Sequence, residues 1–235
     1  MTKILVIGGG AMGSAFTIPC LDNKNNVTIT EPYSKQFINN LKSKNKFHSV
    51  LKIKLPKKLK FRIFSKELLK EKFNLIVIAL SLPGINFISK ELKNIKNKTP
   101  ILILTKGLKY DKKRNKILTI SEQIKISTKN KNISVLKGPC LAKELAKKNQ
   151  TKVIIANKNI NIAKKIGKLI STNYYLVEYS TDIIGVEVCS AIKNIYAMVI
   201  GAGQSLNMSS SLFQKSLLEM KYLTKYFNGK ETTVE

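Results

Sequence analysis

Lys3-Ile4-Leu5-Val6-Ile7-Gly8-Gly9-Gly10-Ala11-Met12-Gly13 is the stretch whose reading decides the fold. Its aliphatic opening reads as a buried strand, and helical spacing resumes over Ala11–Leu21. Between them stands G-x-G-x-x-G, and each glycine has a physical task. Gly8 permits a tight turn, Gly10 lets backbone approach a pyrophosphate with no Cβ in the way, and Gly13 lets the helix pack close to the strand. The helix start, at Ala11 and Met12, then offers free N–H groups and its positive dipole end to phosphate. Alone the motif is weak; between a clear strand and a clear helix it predicts a Rossmann-type dinucleotide-binding unit.

Outward from this turn, strand-like and helix-like stretches alternate. Strands are expected at Val27–Thr30, Leu75–Leu80, Ile101–Leu104, Ser134–Leu136, Val153–Ala156 and Tyr174–Val177. Helices are expected at Ser34–Leu41, Ser65–Lys70, Gly84–Leu92, Ala142–Lys148 and Ile160–Ile170. That order predicts an α/β, doubly wound sheet. Lys42 to Lys60 is too basic and irregular to assign. After about residue 180 the pattern becomes helical: Asp182 caps a helix with Ile184, Val188, Ala191, Ile195 and Val199 on one stripe. A second helix, from about Ser210 to Phe227, has Leu212, Leu217, Met220, Leu223 and Phe227 on its core side. The expected organisation is a dinucleotide-binding domain over 1–180 and the first helices of an all-α second domain over 181–235. The second strand ends at Glu31, where a carboxylate accepts hydrogen bonds from the adenosine ribose and repels a 2′-phosphate. NAD is therefore the expected cofactor, with NADP left open because Lys35 follows one turn later.

Composition narrows the class. The chain has 235 residues, 43% of them hydrophobic and 7% aromatic, enough for an ordinary core. The net charge of +28 is almost all lysine, since Arg62 and Arg114 are the only arginines. Nucleic-acid recognition favours arginine forks and aromatic platforms, and neither is visible, so no specific nucleic acid is expected. Cys20, Cys140 and Cys189 are far apart and lack metal-ligand spacing. They read as reduced thiols, and no metal site is expected. His48, the single histidine, lies among lysines and reads as a surface residue, which leaves no histidine for catalysis. No signal peptide and no bilayer-spanning run is evident, so a cytoplasmic location with no transmembrane segment is expected.

Three further segments carry a family likeness: Thr105-Lys106-Gly107-Leu108, Gly138-Pro139-Cys140-Leu141-Ala142-Lys143-Glu144-Leu145-Ala146, and Asp182 to Ala197 with its Gly185-Val186-Glu187 and Ala191-Ile192-Lys193-Asn194. With the opening turn, and in this order, they resemble the NAD(P)-dependent glycerol-3-phosphate dehydrogenases over nearly the whole chain. The resemblance implies an oxidoreductase interconverting dihydroxyacetone phosphate and sn-glycerol 3-phosphate for glycerophospholipid synthesis, with a homodimer left open. It implies a catalytic role for Lys193, and substrate binding, chiefly of phosphate, by Lys106 and Asn194. Physical reasoning supports two of these. Lys193 has Cys189, Tyr196, Val186 and Ile200 on its own helix face, so desolvation would lower its pKa toward useful proton exchange. The alternative is a lysine that snorkels to solvent. Lys106 follows a strand end, where open α/β sheets bind ligands, or is one more surface lysine. A ketopantoate-type reductase also carries a helix-borne lysine, but the Gly-Val-Glu and Lys-Asn set argues against it.

The family pattern continues into a Gly-Leu-Ala-Gly stretch with an acidic partner for the lysine, then a threonine and an Arg-Asn pair, none present in this chain. Phe213-Gln214-Lys215-Ser216-Leu217 stands where an Arg-Gly step is usual, and Ala79-Leu80-Ser81-Leu82-Pro83 lacks the usual Val-Pro-Ser. The expectation is a site with a whole cofactor half, a partial substrate half and exposed apolar helix faces. The alternative function is a truncated dinucleotide-binding module with little or no catalysis.

Overall fold

Ile4 and Val6 enter one apolar layer, Leu5 and Ile7 the other, and all are fully buried. A strand covered on both faces has no polar side, which is why this stretch is continuously aliphatic. In the computed structural model, which describes residues 1–43, 45–93 and 99–234, it forms β1 (Lys3–Ile7) near the middle of an eight-stranded sheet. The chain continues through α1 (Ala11–Asp22), β2 (Asn26–Thr30), α2 (Lys35–Ser43), the hairpin β3–β4 (Phe47–His48, Ile53–Lys54), β5 (Lys60–Phe61), α3 (Lys66–Lys70), β6 (Leu75–Ile78), α4 (Leu82–Lys93) and β7 (Ile101–Ile103). A second hairpin, β8–β9 (Leu108–Asp111, Lys116–Thr119), precedes α5 (Ile120–Thr128) and β10 (Ile133–Lys137). Then come α6 (Ala142–Ala146), β11 (Thr151–Ala156), α7 (Ile160–Ile170), β12 (Tyr175–Ser180), α8 (Ile183–Gly201) and α9 (Leu206–Tyr226).

The sheet order is β12-β11-β10-β7-β6-β1-β2-β5. β1 pairs in parallel with β2 on one side and β6 on the other, so the winding direction reverses there. Open α/β sheets bind ligands at such a crevice, beyond the carboxyl ends of the strands. β10 is parallel to β7, but β11 runs antiparallel to β10 and β12 follows β11. β12 therefore ends on the edge opposite Gly8, and α8 starts from that far edge and climbs along β10.

Asp182 fixes this start. Its Oδ1 accepts the Gly185 N–H at 2.9 Å, while Oδ2 accepts the Lys230 N–H at 2.7 Å and the Thr233 hydroxyl at 2.6 Å. Val186, Glu187 and Val188 are buried, but Ile195 and Val199, expected on the same buried stripe, are exposed. Only the first half of α8 lies against the sheet. Leu212, Leu217, Met220, Leu223 and Phe227 of the second helical stretch are half-buried, and α9 is fully buried only at Ser216 and Thr224. Contrary to the expectation of no spanning run, α8, at 19 residues and mean hydropathy 1.6, is long and apolar enough to cross a membrane. Its Glu187 and Lys193 nevertheless make polar contacts within the protein.

Candidate functional site

The glycine turn has the shape that phosphate binding needs. A Cβ on Gly8 would sit 2.4 Å from the Ala79 carbonyl, and one on Gly13 only 2.0 Å from the Gly8 carbonyl, so β1, β6 and α1 approach as closely as backbone allows. Gly10 is the opposite case, for a Cβ there meets nothing within 4 Å. It is the N-cap of α1, without a side-chain cap, and the first-turn N–H groups that include Ala11 and Met12 lack intrahelical acceptors. Open space beside the free donors of a helix N-terminus fits a dinucleotide pyrophosphate.

Gly9, the variable position inside the motif, is held from both sides. Its N–H donates to Glu31 Oε2 at 2.8 Å, and its carbonyl accepts from Ser14 Oγ at 2.8 Å and His48 Nε2 at 3.2 Å. The second oxygen of Glu31 accepts the Tyr33 N–H at 3.1 Å, so the carboxylate at the end of β2 is oriented before any ribose arrives.

His48 is buried, contrary to its expected surface position. Leu51, Leu55 and Leu59 of the same lysine-rich segment enter the core and draw the β3–β4 hairpin against the turn. The Leu51 N–H donates to Nδ1 at 3.2 Å, which leaves Nε2 as the protonated nitrogen facing the Gly9 carbonyl. The Phe37 ring packs edge-on against the imidazole at 5.7 Å between centroids.

Farther along the same rim lie the other expected residues. Lys106 is exposed just past β7, and Lys193 is half-buried on α8, its Nζ donating to the Gly138 carbonyl at 3.3 Å. Burial, and then the charge of Lys106, lowers the Lys193 pKa from the ordinary lysine range. The two ammonium groups thus face one region and repel each other, an arrangement that favours an anion between them. Asn194 is exposed beside Lys193. Among the described residues, no group of three His, Cys, Asp or Glu side chains converges as a metal site would require.

Two charged residues beneath the rim were given no role in the sequence reading. Lys137, at the end of β10, is fully buried and donates to the Thr105 and Ile103 carbonyls. Glu187 of α8 is also buried and accepts the Ser121 N–H at 3.1 Å as well as its hydroxyl. Burial raises the Glu187 pKa, and Lys137 opposes that shift. The one available signal was position, Glu187 lying within an apolar helical run and Lys137 closing an apolar strand.

Comparison with known proteins agrees with this geometry. Residues 3–163 match the family model of the NAD-dependent glycerol-3-phosphate dehydrogenase N-terminus, and residues 182–235 match that of its C-terminus. A glycerol-3-phosphate dehydrogenase [NAD(P)+] of Clostridium botulinum is 30% identical over 239 residues, covering 99% of this chain and 70% of the relative. An NADP(+)-dependent glycerol-3-phosphate dehydrogenase of Archaeoglobus fulgidus is 29% identical over 245 residues, with 98% and 71% covered. Among solved structures, glycerol-3-phosphate dehydrogenase of Coxiella burnetii superposes with a TM-score of 0.84 at 24% identity, covering 99% of this chain and 71% of that one. That of Plasmodium falciparum gives 0.86 at 19% identity, with 97% and 67% covered.

Proposed function

This chain belongs to the NAD-dependent glycerol-3-phosphate dehydrogenase family, and from that premise we propose that it interconverts dihydroxyacetone phosphate and sn-glycerol 3-phosphate. What supports the reading is the open space at Gly10, beyond β1, together with Lys106 and Lys193, whose charges interact beyond the same ends of the parallel strands. A nicotinamide dinucleotide, when bound, supplies or accepts the hydride at C2. Gly8, Gly10, Ala11, Met12 and Gly13 cradle its pyrophosphate, and Glu31 receives the ribose hydroxyls. Lys106 and Asn194 hold the substrate, chiefly its phosphate. Lys193 gives a proton to the developing C2 alkoxide and takes it back in reverse. Its depressed pKa serves both directions, because an amine that releases its proton nearer neutrality works as acid and as base.

Finer assignments follow the same chemistry. Glu31 favours NAD over NADP, and NADPH turnover tenfold better than NADH turnover would overturn that preference. The product supplies glycerophospholipid synthesis in the cytoplasm. The boundary near residue 180 divides a cofactor domain from a helical substrate domain, and a homodimer is the proposed assembly. The deciding experiment is steady-state NADH oxidation with dihydroxyacetone phosphate. A rate above background at high protein concentration supports the dehydrogenase. NADH binding without turnover would leave only a cofactor-binding module.

A further inference from the structure

The buried lysine at position 137 stands one residue before Gly138 and takes no part in the steps above. The main-chain ladder between β7 and β10 runs through Ile133–Ile101, Ser134–Leu102 and Val135–Ile103, then stops. Beyond it, the Thr105 carbonyl, past the end of β7, meets the Lys137 side chain. Nζ lies 3.4 Å from the Ile103 carbonyl and makes a direct hydrogen bond to that of Thr105. On the opposite side, the Thr105 hydroxyl donates to the Leu80 carbonyl at 2.7 Å, past the end of β6. The turn that delivers Lys106 is thus pinned by one side-chain bond toward each neighbouring strand, and Gly107 then leaves it at φ +135°.

We infer that Lys137 is a positioning residue of the substrate site: its buried ammonium fixes the Thr105–Lys106 turn and so sets Lys106 against Lys193. The consequence for catalysis rests on the dehydrogenase reading; the geometry of the turn does not. A methionine of similar length would fill the slot without desolvating a charge. What the ammonium adds is direction, with a donor aimed at the Thr105 carbonyl, which lies past the end of the sheet ladder. The charged groups facing it are Glu187 from α8 and Lys106 from the turn itself. Burial brings its pKa down to about 8, partly offset by Glu187, so the side chain is mostly protonated at neutral pH. The adjoining Gly138 carbonyl receives Lys193, so neighbouring residues of one strand end contact both the Lys106 turn and the proposed proton donor.

The test is Lys137→Met in the full chain, read by hydrogen exchange at residues 105–108 and by steady-state kinetics. Amide exchange at Lys106 and Gly107 should accelerate about tenfold while β1 and β6 keep their protection. KM for dihydroxyacetone phosphate should rise about tenfold, with kcat changed less than about threefold and NADH affinity within about twofold. Unchanged exchange at Lys106 and Gly107 would overturn the inference, with or without turnover by the wild type. Faster exchange with an unaltered KM would overturn it as well. A wild-type chain that binds NADH but does not turn over counts against the dehydrogenase reading alone, and the exchange measurement still decides the role of Lys137. If the methionine variant does not fold, Lys137→Ser, which admits water in place of the ammonium, is read in the same way.

Discussion

Replacing Gly10 by alanine should separate the cofactor site from the fold. Gly10 has φ −63° and ψ −178°, a conformation alanine adopts without strain, and its Cβ would project into open space. Such a change restricts the unfolded chain by about 0.4–1 kcal/mol, but alanine is a poorer N-cap than glycine by a similar amount, so the two effects nearly cancel. For a chain of this size the melting temperature should therefore change by less than about 3 °C. The same methyl group would enter the space proposed above for the pyrophosphate. Loss of two phosphate hydrogen bonds from the α1 amides, at about 1.5–3 kcal/mol each, weakens binding by about 100-fold or more. The assays are thermal unfolding and titration by NADH fluorescence. Gly13→Ala is the contrasting variant, since its Cβ would lie 2.0 Å from the Gly8 carbonyl and must lower stability and affinity together. A Gly10→Ala protein that binds NADH within about threefold of wild type would refute the placement of phosphate at this turn.

Lys193→Ala should lower the rate of hydride transfer by about 100-fold or more, as expected for a lost general acid; a stopped-flow rate within about threefold of wild type removes the assignment. His48→Leu deletes one of the two hydrogen bonds to the Gly9 carbonyl, so NADH affinity should fall about two- to tenfold, and an unchanged dissociation constant would show that the turn does not depend on it. Lys137 gives a pH signature in stability. Its folded pKa of about 8 lies below the unfolded value of about 10.4, so between these values the unfolded chain holds more protons and stability gains as pH rises. The gain amounts to about 3 kcal/mol at most and should appear as a difference in urea unfolding between wild type and Lys137→Met from about pH 7.5 to 9.5. The comparison must be a difference, because burial raises the Cys20 thiol and ionisation of the unfolded chain then lowers stability over the same range. A flat difference would show that the ammonium is not buried in solution.

Local signals made the central features readable. The strand, the three glycines and the carboxylate after the second strand all lie within Lys3–Glu31, where spacing alone fixes geometry. Lys193 was readable because helical spacing places its apolar neighbours. His48 was not, since its burial depends on Leu51, Leu55 and Leu59 folding an irregular, lysine-rich segment over the turn. The strand ending in Lys137 was cut short at Leu136 because a lysine reads as surface, while its carbonyl partners lie more than thirty residues earlier in the chain. The helix Ile120–Thr128 was overlooked despite a local signal. Thr119 and Glu122 form a capping box, with the Glu122 N–H on the Thr119 hydroxyl and the Thr119 N–H on the carboxylate.

The reversal between β10 and β11 makes α8 a measuring rod. Because the chain enters this helix at the far edge of the sheet, the distance from Ile183 to Lys193 is spent crossing the sheet, about 15 Å at 1.5 Å per residue. That rise is close to the length of β10, so the amine arrives level with the Gly138 carbonyl. Height and azimuth are then set separately, the first by where β12 ends and the second by helical phase. One residue inserted between Glu187 and Lys193 would leave every strand in place yet swing the amine about 100° around the helix axis, away from the rim it now reaches.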